Sequence, residues 1–184
     1  MPSTKYPPWP SLDPQLRSKV LQTTLLFNPG QPIAMTTAEV LDALYAEEDL
    51  LCLGLSPRHA HTARRSAWRG READHQFIVA NPMSARWGKT QEGDRSMRCH
   101  GNATTNRMYQ VIEFDEGPLE EQAAILSALH SEAAPLILVV WSGSKSLHGW
   151  FDVRKLTDES KRELFACACR RGADRTLWDQ CKLV

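Results

Sequence analysis

Met108-Tyr-Gln-Val-Ile-Glu-Phe-Asp115 and Leu136-Ile-Leu-Val-Val-Trp-Ser-Gly-Ser-Lys-Ser-Leu-His-Gly-Trp-Phe-Asp152 decide the fold. Alternation along the first stretch puts Glu113 and Asp115 on one face of a strand and Ile112 and Phe114 on the other. Two carboxylates on an otherwise apolar strand are costly unless a cation holds them. The second stretch is an apolar strand that breaks at a Ser/Gly/Lys turn. A further strand then leaves with His148, Trp150 and Asp152 on one side and Leu147, Gly149 and Phe151 on the other. The turn offers hydroxyls, backbone N–H groups, an ammonium and an imidazole, donors that suit phosphate. It is not a nucleotide-binding P-loop, because it lacks the first glycine, the Gly-Lys-Ser order and a helix directly after it.

Working outward, Glu116-Gly117-Pro118 is a turn, and Leu119 to about Ser131 a helix with Leu119, Ala123, Leu126 and Leu129 near one face. Thr157 caps a second helix from Asp158 to about Arg171, closed by Gly172. The order β-α-β-β-α is one strand short of the ferredoxin-like, RNA-recognition-like unit. In that unit the first and third strands are central neighbours. Glu113 and Asp115 should therefore lie beside His148 on the face opposite the helices, with Ile112, Phe114, Leu147, Gly149 and Phe151 toward them. Lys182-Leu183-Val184 reads as the start of the missing fourth strand, which implies a piece of a longer protein.

The expected class is α+β, an N-terminal α/β module packed on this RNA-recognition-motif-like half. Residues 1–35 form a proline-rich arm and a short helix over Gln15 to Phe27. Residues 36–107 form the module, and residues 108–184 the second half. In the module, Thr36 or Thr37 caps a helix whose Val40, Leu41, Leu44 and Tyr45 make an apolar stripe. Leu50 to Leu55 and Gln76 to Ala80 read as strands, and Ser56 to Arg65 as a basic, histidine-rich loop.

The 22 Lys and Arg balance 22 Asp and Glu over the whole chain, but from Gly54 to Arg107 ten basic residues face four acidic ones. Arg64, Arg65, Arg69, Arg86, Lys89 and Arg95, with Trp87 among them, are the candidate track for single-stranded nucleic acid, whose phosphates pair with cations and whose bases stack. His59-Ala-His61 does not make a nickase site, since no tyrosine is placed as nucleophile. The five cysteines contain no C-x-x-C pair and read as reduced thiols; the nearest approach to a ligand set is Cys167, Cys169 and Cys181. With no apolar span and no signal-peptide pattern, the expected location is cytoplasmic.

Glu113-Phe-Asp115, then Ser146-Leu-His148 opening a later strand, then Ala173-Asp174 after the next helix, resemble the three motifs of the archaeo-eukaryotic primase superfamily, the primase-polymerases. Val140 to Trp150 is especially similar to the second motif of bacterial, plasmid and phage members. The resemblance implies a nucleotidyltransferase that joins NTPs or dNTPs on a single-stranded DNA template, with a helicase domain or protein as a further partner and no membrane. It implies that Glu113, Asp115 and Asp174 hold two Mg²⁺ or Mn²⁺ ions and share the catalytic role with His148. Asp179 competes with Asp174 for the third place. Ser142, Lys145, Ser146 and His148 would bind the nucleotide. The chain differs from the pattern at Glu113, where many members carry Asp, and it stops before the arginine segment that usually follows the third motif. The alternatives are a catalytically silent module binding single-stranded nucleic acid or nucleotides, and a metal-dependent nuclease.

Overall fold

A computed structural model of the chain describes residues 35–143 and 145–184. The arm and the Gln15 to Phe27 helix expected from sequence lie outside the described residues. The remainder is an α+β fold with three helices and three small antiparallel sheets among the described residues.

Thr36 starts helix α1 (Thr37–Leu44) with a reciprocal box, its hydroxyl accepting from the Glu39 N–H and the Glu39 carboxylate accepting from the Thr36 N–H. Leu41 and Tyr45 are buried from its inner face. Strand β1 (Leu50–Ser56) pairs antiparallel with β2 (His59–Arg64) on one side and β3 (Phe77–Ile78) on the other. The histidine-rich segment is thus a strand, not the loop expected from sequence. His59 and His61 are exposed, Ala60 between them is partly buried, and Thr62 after them is buried. Ala60 and Ala63, half-buried against two different core clusters, carry too little β-propensity to make the strand conspicuous. A short hairpin, β4 (Gly88–Lys89) with β5 (Arg95–Ser96), follows.

In the second half, β6 (Tyr109–Glu113), helix α2 (Leu119–Glu132), β7 (Leu136–Trp141), β8 (Leu147–Asp152) and helix α3 (Asp158–Arg170) fall within one or two residues of their expected bounds. The sheet order is β6-β8-β7, so β8 is central and β6 its neighbour. Glu113 pairs with His148, Ile112 with Gly149 and Val111 with Trp150.

That register fixes both faces. Ile112, Phe114 and Phe151 pack against Leu126 and Leu129 of α2 and Leu164 of α3. Gly149 leaves room for α2, since a Cβ there would stand 2.4 Å from a Leu126 methyl. On the opposite face Tyr109, Val111 and Trp150 form one core with Leu41, Tyr45, Leu51 and Leu53 of the module. The two halves are therefore welded through the sheet face that an isolated unit would leave open. At one end of that face Glu113 and His148 stay partly accessible.

The C-terminal residues do not begin a fourth strand beside β6. Ala173 bridges Phe114, and the 3₁₀ turn Arg175–Trp178 lies along the free edge of β6. Arg107 and Gln110 fill that edge: the Arg107 guanidinium stacks 4.0 Å from the Trp178 ring and donates to the Trp178 carbonyl at 2.6 Å, while Gln110 donates to the Leu177 carbonyl. With this edge occupied, the tail crosses to the module, where Leu183 bridges Val79 and Ile78 and Val184 exchange backbone hydrogen bonds of 3.1 and 2.9 Å.

Candidate active site at the end of the second sheet

Antiparallel pairing brings Glu113 and His148 directly opposite one another at the last rung of the β6–β8 ladder. Glu113 Oε1 lies 3.2 Å from His148 Nε2, with both side chains more than four-fifths buried. The contact is within ion-pair range but misaligned for hydrogen bonding, so His148 Nε2 is buried without a hydrogen-bond partner. Unsatisfied buried nitrogens are uncommon and call for a partner or a ligand.

Asp115 lies past the ladder, exposed in the bend before α2. It lines a groove of about 470 Å³ with Glu116, Glu121, Gln122 and Arg171. Asp174 is tied to the same strand end through its backbone, its N–H donating to the Glu113 carbonyl at 2.9 Å. Its carboxylate is turned to cap the 3₁₀ turn, accepting from the Thr176 N–H at 2.9 Å and the Thr176 hydroxyl at 2.6 Å. Partial burial pushes the Asp174 carboxyl up, but these two donors and the nearby Lys182 outweigh it and hold the group below the usual carboxylate range. The backbone brings Asp174 to Glu113, but Asp115 lines a groove that neither of them lines and the Asp174 carboxylate is committed to Thr176. The three acids expected to share metals do not form a trio of ligand atoms within 4.8 Å, a property that His100, Asp179 and Cys181 alone have among the described residues. Asp179, the alternative third acid, belongs to that other cluster.

The Ser/Gly/Lys turn sits alongside. The Ser142 N–H donates to the Ser146 carbonyl at 2.9 Å, and the Ser142 hydroxyl accepts from the Ser146 N–H at 3.2 Å. Gly143 has φ +86°, the left-handed conformation that lets the chain reverse there. Ser146 is buried, whereas Lys145 and Ser142 are exposed.

A residue that belongs to none of the sequence motifs fixes this turn. Gln122, 1% exposed on α2, donates to the Lys145 carbonyl at 2.8 Å and the Gly117 carbonyl at 3.0 Å, and accepts from the Leu147 N–H at 2.8 Å. It couples the phosphate-suited turn to the turn that follows Asp115. The signal was present: position 122 lies three residues after Leu119 and four before Leu126, so it is a polar side chain on the core-facing stripe. Asn81 is similar, accepting from the Met108 and Tyr109 N–H groups at 2.7 and 2.9 Å and donating to the Tyr109 carbonyl, which holds the start of β6 to the module.

The basic residues divide sharply. Arg65 is fully buried, its guanidinium 2.8 Å from Asp42 and 2.8 Å from Glu72, so it is a core ion pair and is removed from the nucleic-acid track. A guanidinium taken out of water needs such acids around it. Arg69 is half exposed and engaged with Asp42 and Glu47. Arg64, Arg86, Lys89 and Arg95 are exposed. Trp87, 43% exposed, stands under the Arg95 guanidinium at 4.9 Å, so the small hairpin presents an aromatic face among cations. No described helix is long and apolar enough to cross a membrane. Comparison of the chain with family models, with curated proteins and with solved structures finds no match.

Proposed function

We propose that the chain is a template-directed primase-polymerase domain that transfers nucleotides onto a strand growing along single-stranded DNA. The observation that carries this reading is the Glu113–His148 pair at the end of the ladder, with the buried His148 Nε2 lacking a hydrogen bond beside a turn rich in phosphate donors. A triphosphate oxygen is the acceptor that an imidazole N–H so placed would take.

The donor set suits hard divalent cations, since Glu113, Asp115 and Asp174 offer oxygen only. Those three residues would hold Mg²⁺ or Mn²⁺, which supplies charge neutralisation at the α-phosphoryl group and activation of the attacking 3′-hydroxyl. The protein's own contribution is positioning. Ser142 and Lys145 reach the triphosphate from the exposed side of the turn, Ser146 supports it from within, and His148 donates from the sheet. Gln122 holds the turn in register with Asp115. The exposed Arg64, Arg86, Lys89 and Arg95, with Trp87, track the template.

Asp115→Ala should abolish primer extension while leaving single-stranded DNA affinity within about twofold, because template binding rests on the basic hairpin and not on the acids. Equal loss of both would point to a structural role for Asp115 and against the reading. A second reading, a catalytically silent nucleotide-binding module, is favoured by one observation: the Asp174 carboxylate already serves Thr176 as a cap. Nucleotide binding without extension in the unaltered chain would select it.

A further inference from the structure

Sequence spacing groups Cys181 with Cys167 and Cys169, but the fold separates them. Cys167 packs against the α2/α3 core, whereas Cys181 is buried under the C-terminal tail beside His100 and Asp179. The ligand atoms of His100, Asp179 and Cys181 all lie within 4.8 Å of one another, and His100 Nε2 stands 3.7 Å from Asp179 Oδ1. A tetrahedral zinc ion with bonds of about 2.0–2.3 Å sets its ligands roughly 3.3–3.8 Å apart. The imidazole nitrogen and the carboxylate oxygen stand within about 0.4 Å of the roughly 3.3–3.5 Å that such a pair takes, and the thiol needs to close by at most about 1.3 Å.

We propose that His100, Asp179 and Cys181 form a zinc site, with water in the fourth position, that pins the C-terminal tail to the loop following β5. The donor set is one nitrogen, one oxygen and one sulfur, the borderline-soft combination that selects zinc over Mg²⁺ or Mn²⁺. A neutral imidazole, a carboxylate and a thiolate bring two negative charges to a divalent ion. The backbone around the site is fixed. The Cys181 N–H donates to Asp179 Oδ1 at 2.8 Å, which orients the carboxylate, and the Arg98 guanidinium donates to the Cys181 and Pro57 carbonyls. Asn102 accepts from the Cys99 N–H and donates to the Ala85 and Met97 carbonyls, which steadies the loop that carries His100. Burial pushes the Cys181 thiol up to about 12, with Asp179, Cys99 and Cys52 adding to the rise. A bound cation relieves that repulsion, so metal uptake releases a proton from the thiol.

The test is a titration of the chelator-stripped chain with Co²⁺, whose thiolate charge-transfer band and tetrahedral visible bands report ligand type and geometry directly. The expected result is one Co²⁺ per chain with both signatures, displaced by Zn²⁺. His100→Ala, at a side chain 68% exposed and therefore harmless to folding, should weaken affinity by about 100-fold or more, beyond the 10–100-fold typical of residues outside the coordination sphere. Asp179→Asn keeps the oxygen that accepts from Cys181 and should weaken binding as well, while Cys167→Ser should not. Zn²⁺ should raise the melting temperature of the stripped wild type and not of His100→Ala. Octahedral cobalt without a thiolate band, or His100→Ala binding as tightly as wild type, would overturn the site. Glu113, Asp115 and Asp174 cannot produce a thiolate band, so the outcome is independent of the proposed polymerase site.

Discussion

Replacing Gln122 by Leu should destabilise the fold by about 2–4 kcal/mol. Three well-formed hydrogen bonds disappear, to the Lys145 and Gly117 carbonyls and from the Leu147 N–H, at 2.8, 3.0 and 2.8 Å. Each contributes roughly 0.5–1.5 kcal/mol net, and the backbone groups left behind lose their partner in a site from which Gln122 itself is excluded from water. Leu is of similar size, so the change leaves little cavity and isolates the polar contribution. Gln122→Glu is the companion variant. It keeps an acceptor for the Leu147 N–H but sets a carboxylate against two carbonyl oxygens, and it should cost at least as much as Leu. Urea unfolding read by tryptophan fluorescence gives both values, with the denaturant slope showing whether the unfolding remains two-state. The Ser142 to Ser146 turn should also become the preferred site of limited proteolysis. A cost below about 0.5 kcal/mol for Gln122→Leu, with no new cleavage, would refute the idea that this side chain holds the turn.

Gly149→Ala should cost about 1–3 kcal/mol by driving a methyl into Leu126, and Leu126→Ala in the same chain should recover part of that loss in a double-mutant cycle measured by urea midpoint. Acid should destabilise the protein through carboxylates held low in the folded state, Asp152 and Asp174 among them. Asp152 is held low by its hydrogen bonds from Arg154 against partial burial, and Asp174 by Thr176 and Lys182 against partial burial. Because the folded-state values lie below the unfolded ones, their stabilisation is present above about pH 4 and is lost as pH falls through the folded values. Asp152→Asn should flatten that dependence in a melting-temperature profile. Arg65→Met should lower the melting temperature while leaving single-stranded DNA affinity of the folded protein unchanged. Arg95→Ala should do the reverse and reduce the salt dependence of binding, as read by fluorescence anisotropy.

The second half was legible because its signals agree with one another. Alternation along Val111 to Asp115, the apolar run before Ser142 and the threonine cap at Thr157 each point to the same element order, and the Glu113–His148 adjacency follows from it. The module was harder to read. His59 to Arg64 hides a strand behind small inward residues, and Arg65 looks like any other cation until its partners Asp42 and Glu72, distant in sequence, close around it. The course of the tail is not legible in the sequence, because Lys182-Leu183-Val184 has the composition of a strand whichever sheet it joins. Its destination depends on Arg107, Gln110 and the 3₁₀ turn already filling the edge of β6. Spacing marks Gln122 as a polar side chain on a core-facing stripe but not its partners, and the His100–Asp179–Cys181 cluster arises from tertiary proximity, which no spacing rule encodes.

The most direct measurement is calorimetric binding of a non-hydrolysable nucleoside triphosphate with and without Mn²⁺, for the wild type, His148→Ala and Glu113→Ala. The proposed site predicts metal-dependent binding that falls at least tenfold in His148→Ala and loses its metal dependence in Glu113→Ala. Binding that ignores both the metal and the two substitutions would contradict it.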